Sequence, residues 1–156
     1  MIVELTWREV RLAVFAATER QIFNIHQRRV NRHGLVDSQD WDVHIQGVLG
    51  EFVVCKHLGL YWTGAIPANE TAGDAGRHQV RATTRSAGCL IVHPEDPDDV
   101  PFVLVTGTAP TFRIAGWITG GDAKQTQWWR TDVRNAAYFV PQAALRSIDE
   151  FVEVPR

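Results

Sequence analysis

Cysteine is scarce in this chain: two among 156 residues, Cys55 and Cys89, each in an apolar setting, Val53-Val54-Cys55 and Gly88-Cys89-Leu90. Neither belongs to a paired ligand motif, which excludes a disulfide scaffold and a cysteine zinc site and predicts buried free thiols in a reducing, cytoplasmic setting. Excess charge of either sign is missing too. Sixteen Lys+Arg against 18 Asp+Glu leave a formal net charge of −2, so any anionic partner must be met by a local patch rather than by an overall basic balance. No uncharged apolar run approaches about 18 residues, and Glu4, Arg8, Glu9 and Arg11 break up the start of the chain, which excludes a membrane span and a signal peptide. Internal repeats, low-complexity tracts and linkers are absent as well. What remains is a globular composition, 45% hydrophobic and 22% charged. At this length it predicts one domain over 1–156, with a helix in 1–36 and the main core in 37–146.

From Thr6 to about Arg32 there is no Gly or Pro, and Trp7, Val10, Val14 or Phe15, Ala17, Ile22 and Ile25 recur at helical spacing. The pattern predicts an amphipathic helix stopped by Gly34. Residues 1–36 hold six Arg against three Glu. The basic tail Arg28-Arg29-Val30-Asn31-Arg32-His33 reads either as cations favourably placed at the negative end of a helix dipole or as a phosphate-contacting patch. A second helix is expected from Ser38 or Asp40 to Leu58, with Trp41, Ile45, Val48, Leu49 and Phe52 as its stripe and Gly59 as its stop. Glu51 lies at the border of that stripe. Gly47 and Gly50, each costing roughly 1 kcal/mol against Ala inside a helix, call for a close-packing or approach reason.

After a Gly-, Ala- and Asn-rich loop from Gly64 to Arg77, the period changes from 3.6 to 2 or to short apolar runs. Strands are expected at Gln79–Thr84, Cys89–Val92, Phe102–Thr106, Phe112–Ile118 and Tyr138–Val140, with a hairpin turn over Gly107 to Pro110. Short helices are expected in Asp122–Arg130 and Pro141–Leu145. Helices first, then strands, then short helices give an α+β class.

The chemistry concentrates in Gly73-Asp74-Ala75-Gly76-Arg77-His78-Gln79-Val80-Arg81. A carboxylate in a glycine-flanked turn precedes a strand on which Gln79 and Arg81 share one face while Val80 takes the other. Hard oxygen ligands from separate elements beside a fixed cation are what a divalent metal needs to act on a phosphodiester. Asp74, Gln79 and Arg81, with Glu51 from the preceding helix, supply such a set. An ordinary glycine turn and a solvated strand face are the plainer reading of the same residues.

These residues resemble the PD-(D/E)XK nuclease superfamily: an acid in a turn, then acid or Gln, an apolar residue and a base on the next strand, with a helical Glu upstream. More closely, Gly47-x-x-Gly50-Glu51, Gly73-Asp74-x-Gly76-x-x-Gln79-Val80-Arg81, Leu90-Ile91-Val92-His93-Pro94, Phe102-Val103-Leu104-Val105-Thr106-Gly107, Gly116-Trp117-Ile118 with Asp122-Ala123-Lys124, and Ala137-Tyr138-Phe139-Val140-Pro141 are similar to small phage-encoded members. The resemblance covers about residues 40–146. It implies a restriction-endonuclease-like α+β fold, a mixed central sheet flanked by helices. It further implies Mg²⁺ or Mn²⁺ held by Asp74, Gln79 and the Val80 carbonyl, with Glu51 as a further ligand or water-positioning group. Gln79 replaces the usual strand acid and Arg81 the usual Lys; a permanently protonated Arg stabilises charge but cannot act as general base. The implied activity is metal-dependent DNA hydrolysis in the cytoplasm, the host's if the chain is phage-encoded. The alternatives are a catalytically silent module of the same fold that binds nucleic acid or a host protein. The cations expected to meet DNA, or RNA, are Arg28, Arg29, Arg32, Arg77, Arg85 and Lys124, with His78 beside them. A homodimer is compatible with the class, a membrane partner is not.

Other features carry plainer expectations. Glu95-Asp96-Pro97-Asp98-Asp99 lacks the glycine and distal Glu of a calcium loop and reads as a solvated connection. Trp117, Trp128 and Trp129, near Lys124, Arg130 and Arg134, offer base-stacking surfaces, though core packing explains Trp117 and one of the other two more economically. His26, His33 and His93 have no ligand spacing for zinc.

Overall fold

The computed structural model describes residues 1–27, 40–64 and 74–150. The chain opens with a strand that local pattern did not announce, β1 (Ile2–Glu4), followed by helix α1 (Trp7–His26) and helix α2 (Asp40–Leu58). Strands β2 (Gln79–Thr83), β3 (Leu90–Val92), β4 (Pro101–Thr108) and β5 (Thr111–Thr119) come next, then the short helix α3 (Gly120–Ala123) and strands β6 (Trp129–Arg130) and β7 (Ala137–Val140). The class is α+β with a mixed sheet.

Thr6 starts α1 through a capping box. Its hydroxyl accepts the Glu9 N–H at 3.3 Å while the Glu9 carboxylate accepts the Thr6 N–H at 2.6 Å, satisfying two donors that a helix start otherwise leaves open. The expected continuation of this helix to Arg32 lies outside the described residues beyond Gln27. The inward face of α1 differs from the predicted stripe. Ala13, Ala16, Ala17 and Gln21 are buried, whereas Trp7, Phe15, Ile22 and Ile25 are exposed. A helix with apolar residues on most of its circumference leaves periodicity unable to choose a face, and here small side chains let α1 pack closely against α2.

Helix α2 buries Val48, Leu49, Val53, Val54 and Cys55, with Ile45 and Phe52 partly covered and Trp41 at the surface. Gly50 has a packing reason: a Cβ there would meet the Ala82 Cβ at 2.7 Å and Val80 Cγ1 at 3.3 Å. Gly47 does not, since a Cβ would meet nothing within 4 Å. Gly59, with φ of +66°, ends α2 in the left-handed region that glycine tolerates.

The sheet order is β1-β5-β4-β2, with β2 parallel to β4 and the other pairs antiparallel. Val103 and Val105 of β4 face one core with the helices; Phe102 and Leu104 face a second core. Being buried on both sides explains why β4 reads as a continuous apolar run rather than an alternation. The second core is closed by a separate antiparallel sheet, order β3-β7-β6. The expected single central sheet is therefore two sheets, and the far face of the mixed one is covered by strands instead of helices. The later short helices contract to α3 and to 3₁₀ turns at Thr126–Trp128 and Gln142–Ala144.

No described helix is long and apolar enough to cross a membrane. Cys55 is buried as expected, its thiol pushed up to about 11 chiefly by burial and then by the Glu51 and Asp74 charges, whereas Cys89 is half-buried. Trp117 and Trp128 pack on the two cores, as expected for Trp117 and one of the other two, while Trp129 packs on Tyr138 at 4.7 Å between ring centres.

Candidate functional site

Helix α2 lies on β2 through Gly50, so Val80 and Ala82 point to α2 while Gln79 and Arg81 leave the strand on its other face. Asp74 stands at the start of this strand, its Oδ2 accepting the Val80 N–H at 2.7 Å. That bond fixes the carboxylate at the strand entrance. From there it is felt on both sides: the charges of Arg81 and Arg20 act on Asp74, and Asp74 acts on Glu51.

Glu51 is not an open carboxylate. Arg20 of α1, a residue sequence reasoning did not single out, grips it with both nitrogens, Nη1 to Oε1 at 2.7 Å and Nη2 to Oε2 at 2.9 Å. The two side chains are only 13% and 10% exposed. The Trp62 indole also donates to Glu51. Even so, burial pushes the Glu51 carboxyl above its ordinary range, with Asp74 adding to the rise against the opposing pull of Arg20 and Trp62. Asp74 is likewise raised by burial, against the Val80 N–H and the two guanidiniums. Two neighbouring carboxyls that both resist ionisation mark a place where added positive charge is stabilising.

Arg81 sits on the far side of β2. Its Nη2 reaches both Asp96 oxygens at 3.4 and 3.3 Å, and its guanidinium carbon lies 5.2 Å from the Phe102 ring centre. Asp96 also accepts the His93 N–H at 2.8 Å, and Lys124 donates to the Asp96 carbonyl at 2.5 Å and to Asp98 at 2.6 Å. The acidic run 95–99 is, as expected, a largely exposed connection between β3 and β4, and within it half-buried Asp96 pairs with Arg81 while Asp98 pairs with Lys124, a cation expected to meet nucleic acid. No family model, no curated protein and no solved structure matches this chain.

Of the residues singled out in the sequence, Asp74 is within electrostatic reach of Glu51 on one side and of Arg81 on the other. Gln79 is half-buried on the Arg81 face. His78 is corrected: it is fully buried, its Nδ1 2.6 Å from the Ala75 carbonyl oxygen, and meets no surface ligand. The turn at Gly76 carries Arg77 outward while turning the next side chain in. Arg85 is exposed after β2. Arg28, Arg29 and Arg32 lie outside the described residues. Among the described residues no group of three or more His, Cys, Asp or Glu side chains could hold a metal ion. The Asp74 carboxyl stands at the strand entrance, the Glu51 carboxyl, already matched by Arg20, lies on the α2 side of β2, and Gln79 lies on its opposite face.

Proposed function

We propose that this chain hydrolyses DNA phosphodiester bonds with the help of a divalent metal, in the manner of the PD-(D/E)XK superfamily that its motifs resemble. The observation that carries the reading is the neighbouring pair of buried Glu51 and half-buried Asp74. They come from separate elements, both carboxyls are raised by desolvation, and Arg20 and Arg81 act on Asp74 from different elements. Buried carboxylates are costly unless something cationic is held there. Asp74 with Glu51 would hold Mg²⁺ or Mn²⁺, assisted by the neutral oxygens of Gln79 and Val80; the metal, when bound, supplies an activated water and a Lewis acid. Arg81 stabilises the charge that develops on phosphorus. Arg20 neutralises Glu51 until a stronger cation competes for it. The restriction-endonuclease-like arrangement of the sheet and a cytoplasmic place of action belong to the same proposal.

The second reading, a silent module that grips nucleic acid or a protein, draws on one observation: the bidentate Arg20–Glu51 pair already satisfies one of the proposed ligands. Incubating plasmid with the protein and Mn²⁺ beside an Asp74→Ala control decides between them. Cleavage that Asp74→Ala abolishes is expected. Cleavage that survives the substitution, or no cleavage in any divalent metal, removes the enzyme and leaves the module.

A further inference from the structure

We propose that the outward face of α1 seats a second copy of this chain, docked antiparallel as a symmetric dimer. Helix α1 puts alanine inside and its large apolar side chains outside: Leu12 is 52% exposed, Phe15 63%, Ile22 50% and Ile25 58%. Along a helix, Arg8, Arg11, Phe15, Ile22 and Ile25 recur at spacings of three, four and seven, and so form one stripe. Twenty residues make a helix about 30 Å long, enough for a full helix-to-helix seam. Large apolar side chains left outward on one helix side, with Leu12 beside the stripe and arginines at its N-terminal end, mark an interaction face.

Charge selects the occupant. The N-terminal half of the stripe carries Arg8 and Arg11, whose guanidiniums lie 5.4 and 5.5 Å from the Trp7 ring centre. The C-terminal half carries Ile22 and Ile25, with Glu19 midway along the same side. A parallel pairing would set each arginine against its own counterpart. The antiparallel pairing instead turns Arg11 of one copy toward Glu19 of the other, and brings Phe15 near its own symmetry mate. The face is therefore complementary to itself in one orientation. A nucleic acid fits it less well, because half the stripe has no arginine or lysine and Glu19 repels phosphate.

Sedimentation equilibrium of the full chain tests this independently of the chemistry at Asp74. The parent is expected to run at the mass of two chains. Phe15→Glu should raise the dissociation constant at least about tenfold, and Phe15→Glu with Ile22→Glu should give a single chain. Since both side chains are at least half exposed, far-ultraviolet circular dichroism and the unfolding midpoint of the monomeric variant should match the parent diluted to monomer. Arg11→Glu and Glu19→Arg should each weaken the dimer and restore it when combined. A parent of single-chain mass at every concentration, a dimer that survives the double glutamate variant, or a charge swap that fails to recover association would overturn the proposal. So would loss of oligonucleotide binding in Phe15→Glu with no change in mass.

Discussion

Arg20 grips Glu51 through two guanidinium nitrogens at 2.7 and 2.9 Å, and Arg130 grips Asp132 in the same way at 2.7 and 2.6 Å. The carboxyls respond in opposite directions. Asp132, on a side chain 64% exposed, is lowered to about 2 by its hydrogen bond to Arg130. Glu51, 10% exposed, is raised, because burial outweighs the same partner chemistry. The guanidinium alone therefore does not decide how a carboxylate behaves here; the water left around it does. That contrast separates a surface pair from a place where charge is under strain, and it can be broken or sharpened experimentally.

The largest effect is expected from breaking the buried pair on one side. Glu51→Gln leaves the Arg20 cation enclosed without its anion and should cost on the order of 3 kcal/mol in urea unfolding near neutral pH. Replacing both partners, Arg20→Met with Glu51→Leu, should recover most of that loss, since desolvation of two ions is then avoided. A single substitution as mild as a surface change would mean that water reaches this pair freely, and the contrast with Asp132 would disappear.

Next comes the packing that delivers Glu51. Gly50→Ala drives a Cβ to 2.7 Å from the Ala82 Cβ, so α2 must shift off β2 at about 1–3 kcal/mol. Gly47→Ala meets nothing and should instead stabilise by up to about 1 kcal/mol through helix propensity. Opposite signs in thermal unfolding are expected for two glycines one turn apart. Equal signs would mean that α2 does not lie on β2 as described.

How far this was legible in the sequence follows from the same residues. Strands β2, β3, β4, β5 and β7 and the span of α2 could be read because alternation, apolar runs and Gly59 are local signals, whereas the two-residue β6 fell in a stretch expected to be helical. The pairing of β3 with β7 could not, since a three-residue strand carries no mark of its partner. Strand β1 is as short and stands before a helix signal that dominates its surroundings. Asp74, Glu51 and Arg81 were visible as types in an order. Arg20 was hidden because it sits on a helix whose buried face is made of alanines, and no periodicity reading based on large residues turns that face inward. The role of Asp96 was hidden in a run whose charge suggested solvent.

A smaller, pH-dependent effect is expected at Asp74. Its carboxyl is raised above the ordinary 3.8 by burial, so the folded chain holds this proton at pH values where the unfolded chain has released it. The contribution to stability is complete below 3.8 and is lost as pH rises through the raised folded value. Asp74→Asn cannot titrate. The stability of the parent should therefore decline relative to the variant as pH climbs from acid toward neutrality, while plasmid cleavage is lost in the variant. Parallel stability curves across that range would show that Asp74 is as well solvated as a surface acid.

The smallest effect is expected at the surface pair, and its sign is the reverse. Asp132 is lowered from 3.8 to about 2 by the hydrogen bond from Arg130. The stability it supplies is present above 3.8 and is lost as pH falls through about 2. Exposure lets solvent and salt screen the pair, so at ordinary ionic strength and neutral pH Asp132→Asn should leave the unfolding midpoint where it was. Any difference should open above that acid limb at low ionic strength and close when salt is raised. Salt has much less access to Arg20 and Glu51, so the loss in Glu51→Gln should persist at high ionic strength. A salt response shared by both sites would erase the distinction between them; a response confined to Asp132 would assign the difference to burial.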